Sequence, residues 1–371
     1  MSTSGQSGVS HGTAPTSFRP VESHIPHRQS ISVCAGSRDG SDVSVIDPLA
    51  DDVIHHLRTT DPPPSESQLA DTLSVTRARL ARIFDELTVL GYVFETTRNG
   101  AVHIAHTPDR MIDTEIVNGL RTRTFGRTLH CYRQVGSTNI TAIELAESGA
   151  PEGTVVVAEE QTRGRGRLGR NWHSSPGLGI WSSVVLRPNI APDAVTGISI
   201  VAALAFAETV DNQLGLDVQL KWPNDGLIDN RKVCGILVEL SAEVGRLHYA
   251  VCGTGINVAH KETDFPAEIR PQASSLTIAT GRPVDRLAFY RQSLFDFEEL
   301  YQTFMRDGLA PLLPIYRARS ILLGQTVTVT QGETHTTGLA EEIDECGRLI
   351  VRSAGQRVAL NSGEATLRAD M

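Results

Sequence analysis

The 371-residue chain predicts an α+β protein made of a small helical unit, a mixed-sheet domain and a short all-β end. Three observations carry this. Apolar residues recur at helical spacing up to residue 90, strands and helices alternate from about 129 to 320, and short strands separated by turns follow residue 322.

Taken in order, residues 1–42 are rich in Ser, Gly, His and Pro with little apolar content, and read as a disordered tail. Residues 43–108 hold a helix from Asp51 to Arg58, a second segment Ser67–Leu73, a turn at Ser74-Val75 and a third helix from Thr76 to Leu90. Leu80, Ile83, Phe84 and Leu87 form one buried face of that third helix. Two strands, Gly91–Glu95 and Ala101–Ile104, flank Arg98-Asn99-Gly100. Helix, helix, turn, helix and hairpin is the winged helix-turn-helix arrangement. Residues 109–128 are expected to form a linking helix. From 129 to 320, helices at Ile140–Glu147, Val195–Gln213 and Asp285–Arg306 alternate with strands, so an α+β domain with a mixed sheet is expected. In 321–371, Gly324–Val329, Thr336–Ala340, Leu349–Val351 and Arg357–Leu360 are strands of a small SH3-like barrel.

A net charge of −9 argues against general nucleic-acid affinity and against a basic membrane surface. Five scattered cysteines without paired spacing or a secretory signal fit a reducing cytoplasm, and no apolar run is long enough to span a bilayer. There is no H-E-x-x-H zinc signature, and no metal-ligand set is assigned. The G-x-S-x-G match at Gly8–Gly12 has neither a strand before it nor a helix after it, and reads as chance.

Chemistry concentrates in four places. The run from Gln161 to Trp172 carries Arg163, Arg165, Arg167 and Arg170 interleaved with Gly164, Gly166 and Gly169. Glycine lets backbone approach a ligand, and arginine presents a permanent planar charge to carboxylate or phosphate. So self-repelling a loop is expected to need an anion to gather around. Its glycines also match G-x-G-x-x-G, but no helix follows and no acid lies some twenty residues on, so a dinucleotide fold is excluded. Second come Lys221-Trp222-Pro223-Asn224-Asp225 and Arg231–Glu239. The strand Val218–Trp222 and an apolar strand opened by Lys232 place the two lysines on neighbouring strands of a hairpin. Alone, each lysine reads as surface charge; together with the carboxylate they suit an adenylate. Third, Gly253-Thr254-Gly255-Ile256-Asn257 follows the strand Leu247–Val251, where small residues let a ligand lie on the backbone. Fourth, Ser137, Thr138 and Asn139 precede a helix, where they would serve as N-caps or as donors to a ureido or amide group.

In this order and spacing, GRGRxGRxW, KWPND, RKxxGILVE and GxGIN resemble the biotin protein ligase family, from about residue 130 to the C-terminus. Lipoate and octanoyl ligases share that fold without the arginine–glycine loop. The resemblance implies a class II aminoacyl-tRNA-synthetase-like catalytic domain and a two-step reaction. Biotin's carboxylate attacks the α-phosphate of ATP, with Mg2+ carried by the nucleotide; a lysine of a biotin carboxyl carrier domain then takes biotin and releases AMP. It implies Lys232, with Arg165 and Arg167, as the cations of adenylation. Ser137, Thr138, Asn139 and Gln161 would hold biotin, with Gly164, Gly235 and Gly253 permitting close approach. Arg167, Arg170, Trp172, Lys221, Asn224, Asp225 and Asn257 would line the adenylate side. Leu168 departs from the many members that carry arginine there.

Some members with this architecture also repress the biotin operon, which implies operator DNA as a partner. Thr76, Arg77, Arg79 and Arg82 are the candidate DNA contacts. Against this, residues 46–106 hold five arginines, no lysine and nine acids, a net −4. A homodimer with its acids facing away would reconcile the two; the alternative is a monofunctional ligase whose winged helix does not bind DNA.

Overall fold

A computed structural model describes residues 49–367 except 244 and 245. The tail at 1–42, with the Gly8–Gly12 match, lies outside the described residues. The N-terminal unit follows the predicted order: α1 (Ala50–Thr59), α2 (Glu66–Thr72), α3 (Arg77–Val89) and the hairpin β1 (Val93–Thr96) and β2 (Val102–His106). Ser65 starts α2 with a reciprocal capping box to Gln68, and Thr76 starts α3 by accepting from the Arg79 amide. Leu80, Ile83 and Leu87 join Val53, Ile54, Leu57 and Leu69 in one core, with Phe84 half-buried at its edge.

The expected linking helix is realised only as α4 (Asp113–Val117). Gly119 and Gly126 hold positive φ values of 99° and 74°, which end helical propagation and turn the chain into the sheet. Glu115 of α4 is buried, and Arg58 donates to both its carboxylate oxygens at 2.9 and 3.1 Å.

The central domain holds a seven-stranded sheet in the order β3-β4-β5-β9-β8-β7-β6. The strands are β3 (Leu129–Val135), β4 (Val155–Gln161), β5 (Gly179–Leu186), β6 (Gln219–Lys221), β7 (Asp225–Ile228), β8 (Arg231–Glu243) and β9 (Arg246–Asn257). The pair β3–β4 is parallel and the other pairs antiparallel, as expected of a mixed sheet. Period-two alternation divides its faces. Val155 and Val157 join the main core with α6 (Thr196–Leu214) and α8 (Arg286–Asp307), whereas Val156, Val185 and Val251 pack on α5 (Thr138–Glu147). Helices α7 (Leu276–Thr280) and α9 (Leu313–Arg319) were not legible as helices because each is short and lacks a full apolar period.

Two local expectations change. Lys221 and Lys232 are not on neighbouring strands, because Asp225–Ile228 forms β7 between them. And Gly253–Asn257 does not follow a strand but lies inside β9, where its glycines border a cavity without breaking the ladder. The C-terminal sheet has the order β13-β12-β11-β10-β14, from β10 (Thr326–Gln331), β11 (Thr334–Ile343), β12 (Leu349–Ser353), β13 (Gln356–Leu360) and β14 (Glu364–Leu367). Its apolar residues continue the main core, and the Trp222 indole donates to the Gly347 carbonyl at 2.9 Å.

Candidate active site

A cavity of about 570 Å³ opens over the β8–β9 end of the sheet, between the arginine–glycine loop and β14. All but one of the cavity-side residues expected from sequence line it. The exception is Gly164. A Cβ there would lie 2.4 Å from the Trp172 carbonyl, so the loop's own crossing leaves no room for a side chain at this position.

The loop is held by internal backbone bonds: Trp172 N–H to Gly164 O at 2.9 Å and Gly166 N–H to Arg170 O at 2.7 Å. Sequence reasoning left its charges without partners, and the fold supplies carboxylates. Arg165 pairs with Glu239 at 3.2 Å, and Arg170 forms a two-pronged bridge to Glu364 of β14. Arg167 donates to Asn224 Oδ1 at 3.2 Å; burial lowers its pKa, opposed by the nearby Asp225 and Glu364 carboxylates. Leu168 stands at φ 57°, with its side chain exposed at the loop tip.

Behind the loop, Gln161 orders the start of α5: its Oε1 accepts from Thr138 N at 2.9 Å and from Thr138 Oγ1 at 3.1 Å. Ser137 occupies the N-cap position without a side-chain cap bond, so the plain capping reading fails for it and its hydroxyl is left for the cavity. Asn139 donates to Glu239 at 2.9 Å and accepts from Ser183 at 2.6 Å. A Cβ on Gly253 would fall 2.0 Å from Asn139 Oδ1, so small size is required there. Ser183 and Glu239, which hold Asn139 from behind the cavity, were not assigned from sequence, although Glu239 closes the RKxxGILVE motif.

On the other side, Lys232 Nζ lies 2.7 Å from Asp225 Oδ1 and 5.1 Å from the centre of the Trp172 ring. Trp172 covers Gly235 and Gly255, where added Cβ atoms would lie 2.6 and 2.5 Å from its ring. Asn224 is fixed by donating to Ile236 O at 2.8 Å, and Asn257 by donating to Ser274 O at 3.0 Å. Glu364 was invisible in sequence; its pairing with Arg170 holds its carboxyl below the ordinary range. Five cations (Arg165, Arg167, Arg170, Lys221 and Lys232) line the cavity against two carboxylates, Asp225 and Glu364. Burial pushes the adjacent Cys234 and Cys252 thiols up, the latter to about 12, too high for nucleophilic thiolates. What this arrangement offers is fixed positive charge beside a flat aromatic floor. Among the described residues, no group of three His, Cys, Asp or Glu side chains is placed to hold a metal ion.

Comparison with known proteins gives this geometry a family. The chain matches the biotin/lipoate A/B protein ligase family over residues 131–257 and the biotin protein ligase C terminal domain over 322–368. It is 35% identical over 289 residues to the bifunctional ligase/repressor BirA of Bacillus subtilis, covering 78% of this chain and 89% of that protein. The chain belongs to the biotin protein ligase family. It is also 34% identical over 244 residues to the biotin--[acetyl-CoA-carboxylase] ligase of Mycobacterium tuberculosis, covering 64% of this chain and 88% of that one. Among solved structures, the biotin protein ligase of Aquifex aeolicus in complex with biotin and ATP superposes with a TM-score of 0.56 at 30% identity, over 65% of this chain and 99% of its own. The biotin protein ligase motifs read from the sequence therefore sit within the matched ranges, and the mixed sheet is the family's catalytic fold.

Proposed function

We propose that the protein is an ATP-dependent biotin–protein ligase that forms biotinyl-5'-AMP and transfers biotin to a lysine of a biotin carboxyl carrier domain. The observation that carries this is the cation-lined cavity in which Lys232, Arg165 and Arg167 converge beside Trp172. Adenylation piles negative charge between carboxylate and α-phosphate, and preorganised cations stabilise that charge at no reorganisation cost. Lys232, held by Asp225, is the principal cation. Biotin's ureido ring fits the pocket of Ser137, Thr138, Asn139 and Gln161, with Gly235 and Gly253 letting it lie against the sheet. Adenine fits beside Trp172 and Asn257, with Arg167, Arg170, Lys221 and Asn224 toward the phosphates. Magnesium would be carried by the ATP phosphates, with Asp225 placed to orient its shell. Biotin-dependent exchange of labelled pyrophosphate into ATP tests the reading, with lipoate in parallel. Exchange with biotin alone supports it, and exchange with neither acid refutes it.

A second activity, biotin-responsive repression, is favoured by one observation: Arg77 and Arg82 are exposed on α3, while the apolar side of that helix is buried. In this reading residues 43–108 form a winged helix whose α3 enters the DNA groove, 129–320 the catalytic domain, and 321–371 an SH3-like barrel. Thr76 would contribute backbone placement, since its hydroxyl already caps α3. Two copies acting together, with their acids facing away, would offset the excess of acids. Electrophoretic binding to the protein's own upstream DNA with biotin and ATP present tests this; no shift under those conditions leaves a ligase alone.

A further inference from the structure

Arg286 opens α8 with its side chain 1% exposed, a position in which a guanidinium needs several acceptors. It has them on three separate pieces of chain. Nη1 donates to Glu159 Oε2 at 2.9 Å and to the Gly179 carbonyl at 3.1 Å. Nη2 donates to Glu159 Oε1 at 3.2 Å and to the Asp109 carbonyl at 2.8 Å, and Nε donates to Asp109 Oδ1 at 3.0 Å. Glu159 lies on β4 two residues before Gln161, and Gly179 begins β5 just after the loop returns. The Glu159 carboxylate also accepts from the Met111 amide, and its carbonyl accepts from Gly177 N–H at 3.2 Å. One buried guanidinium thus grips both stems of the arginine–glycine loop together with the segment that leads in from the N-terminal unit. Neither Arg286, Glu159 nor Asp109 lines the cavity.

We propose that Arg286 is a positioning residue for the ligand loop, acting through Glu159 and Gly179, with Asp109 tying the N-terminal unit into the same clamp. The loop's arginines reach the cavity from a span of some twenty residues whose ends must stay in register for those side chains to converge. A charge-assisted grip on both ends supplies that register. The consequence for catalysis rests on the ligase reading; the clamp itself does not.

The test uses the full chain and the variants Glu159→Gln, Arg286→Lys and Asp109→Asn. Amide hydrogen exchange of Gly166 and Trp172, whose N–H groups bond inside the loop, is followed beside the dissociation rate of biotinyl-5'-AMP. For Glu159→Gln and Arg286→Lys, loop exchange is expected to accelerate about tenfold while β8–β9 amides stay protected. Adenylate release is expected to accelerate by about the same factor. Asp109→Asn, whose native side chain is 58% exposed, is expected to give a smaller effect in the same direction without loss of fold. Should Arg286→Lys not fold, Glu159→Gln and Asp109→Asn carry the test. Loop exchange within about twofold of the parent in the folded variants overturns the clamp. A loosened loop with unchanged adenylate release keeps the clamp and overturns its role in positioning the loop for the ligand. Loop loosening in a protein that makes no adenylate supports the clamp and refutes the ligase reading instead.

Discussion

Single side chains at the cavity divide into those that hold charge for a ligand and those that hold other side chains. Lys232 belongs to the first kind: it is half-exposed toward the cavity, and its ammonium is steered by Asp225 at 2.7 Å. Lys232→Ala is expected to cut pyrophosphate exchange by roughly 100- to 1000-fold, as loss of one preorganised charge-stabilising group does, with little change in thermal midpoint because no core is opened. Wild-type turnover would remove it as the key cation. Gly255 belongs to the second kind. Gly255→Ala puts a Cβ 2.5 Å from Trp172 Nε1, which forces the indole off the floor of the site. A raised KM for ATP, with KM for biotin much less affected, is the expected result; equal effects on both would place Trp172 elsewhere. Gly235 and Gly255 were legible as positions that call for a small residue, but their immediate partner is an aromatic ring, which no local pattern names.

Elements decide which charges are balanced. Strand β14 brings Glu364 to Arg170, and both side chains are more than a third exposed, at 40% and 62%. Solvent screening leaves such a pair worth about 0–1 kcal/mol to stability. Glu364→Ala should therefore move the melting temperature by no more than about 3 °C. Adenylate dissociation should nonetheless accelerate, because the loop loses its tie to the C-terminal sheet. Differential scanning calorimetry beside a chase with unlabelled adenylate separates the two, and a large fall in melting temperature with unchanged release would make the pair structural. At this scale the long helices were readable because sustained periodicity and capping residues are local properties: α6 and α8 differ from expectation by a residue at each end. The connector was misread because Gly119 and Gly126 were not weighed as breaks, and because no local pattern marks the contacts that fix it there, such as Arg291 donating to the Glu115 and Asn118 carbonyls at 2.6 and 2.7 Å.

Stability of the whole molecule should depend on pH through His260. Its residue is 0% exposed and its ring stacks on Phe265, with centroids 4.9 Å apart. Burial depresses its pKa to about 4; His173 adds to the shift and Asp264 opposes it. Between that value and the unfolded value near 6.5, the unfolded chain binds a proton that the folded one refuses. Stability from this group is thus complete above about pH 6.5 and falls as pH drops toward 4, by up to about 3 kcal/mol. The fall in urea midpoint from pH 7 to pH 4.5 should be smaller for His260→Phe than for the parent. Parallel falls would assign the acid sensitivity to other groups.

Sequence alone determined the α+β class, most element positions and most of the residues that line the cavity. Each of these rests on features carried by contiguous residues: apolar period, turn residues, and motifs that set arginine, glycine and lysine at fixed spacing. Tertiary structure alone decided which side chains meet. Arg170 finds Glu364 at a separation of 194 residues, and Arg286 grips Asp109 at 177 and Glu159 at 127. Strand β7 slips between the two lysines by pairing with both their strands. Such pairings depend on how strands and helices stack in space, and local propensity carries no record of a partner that distant.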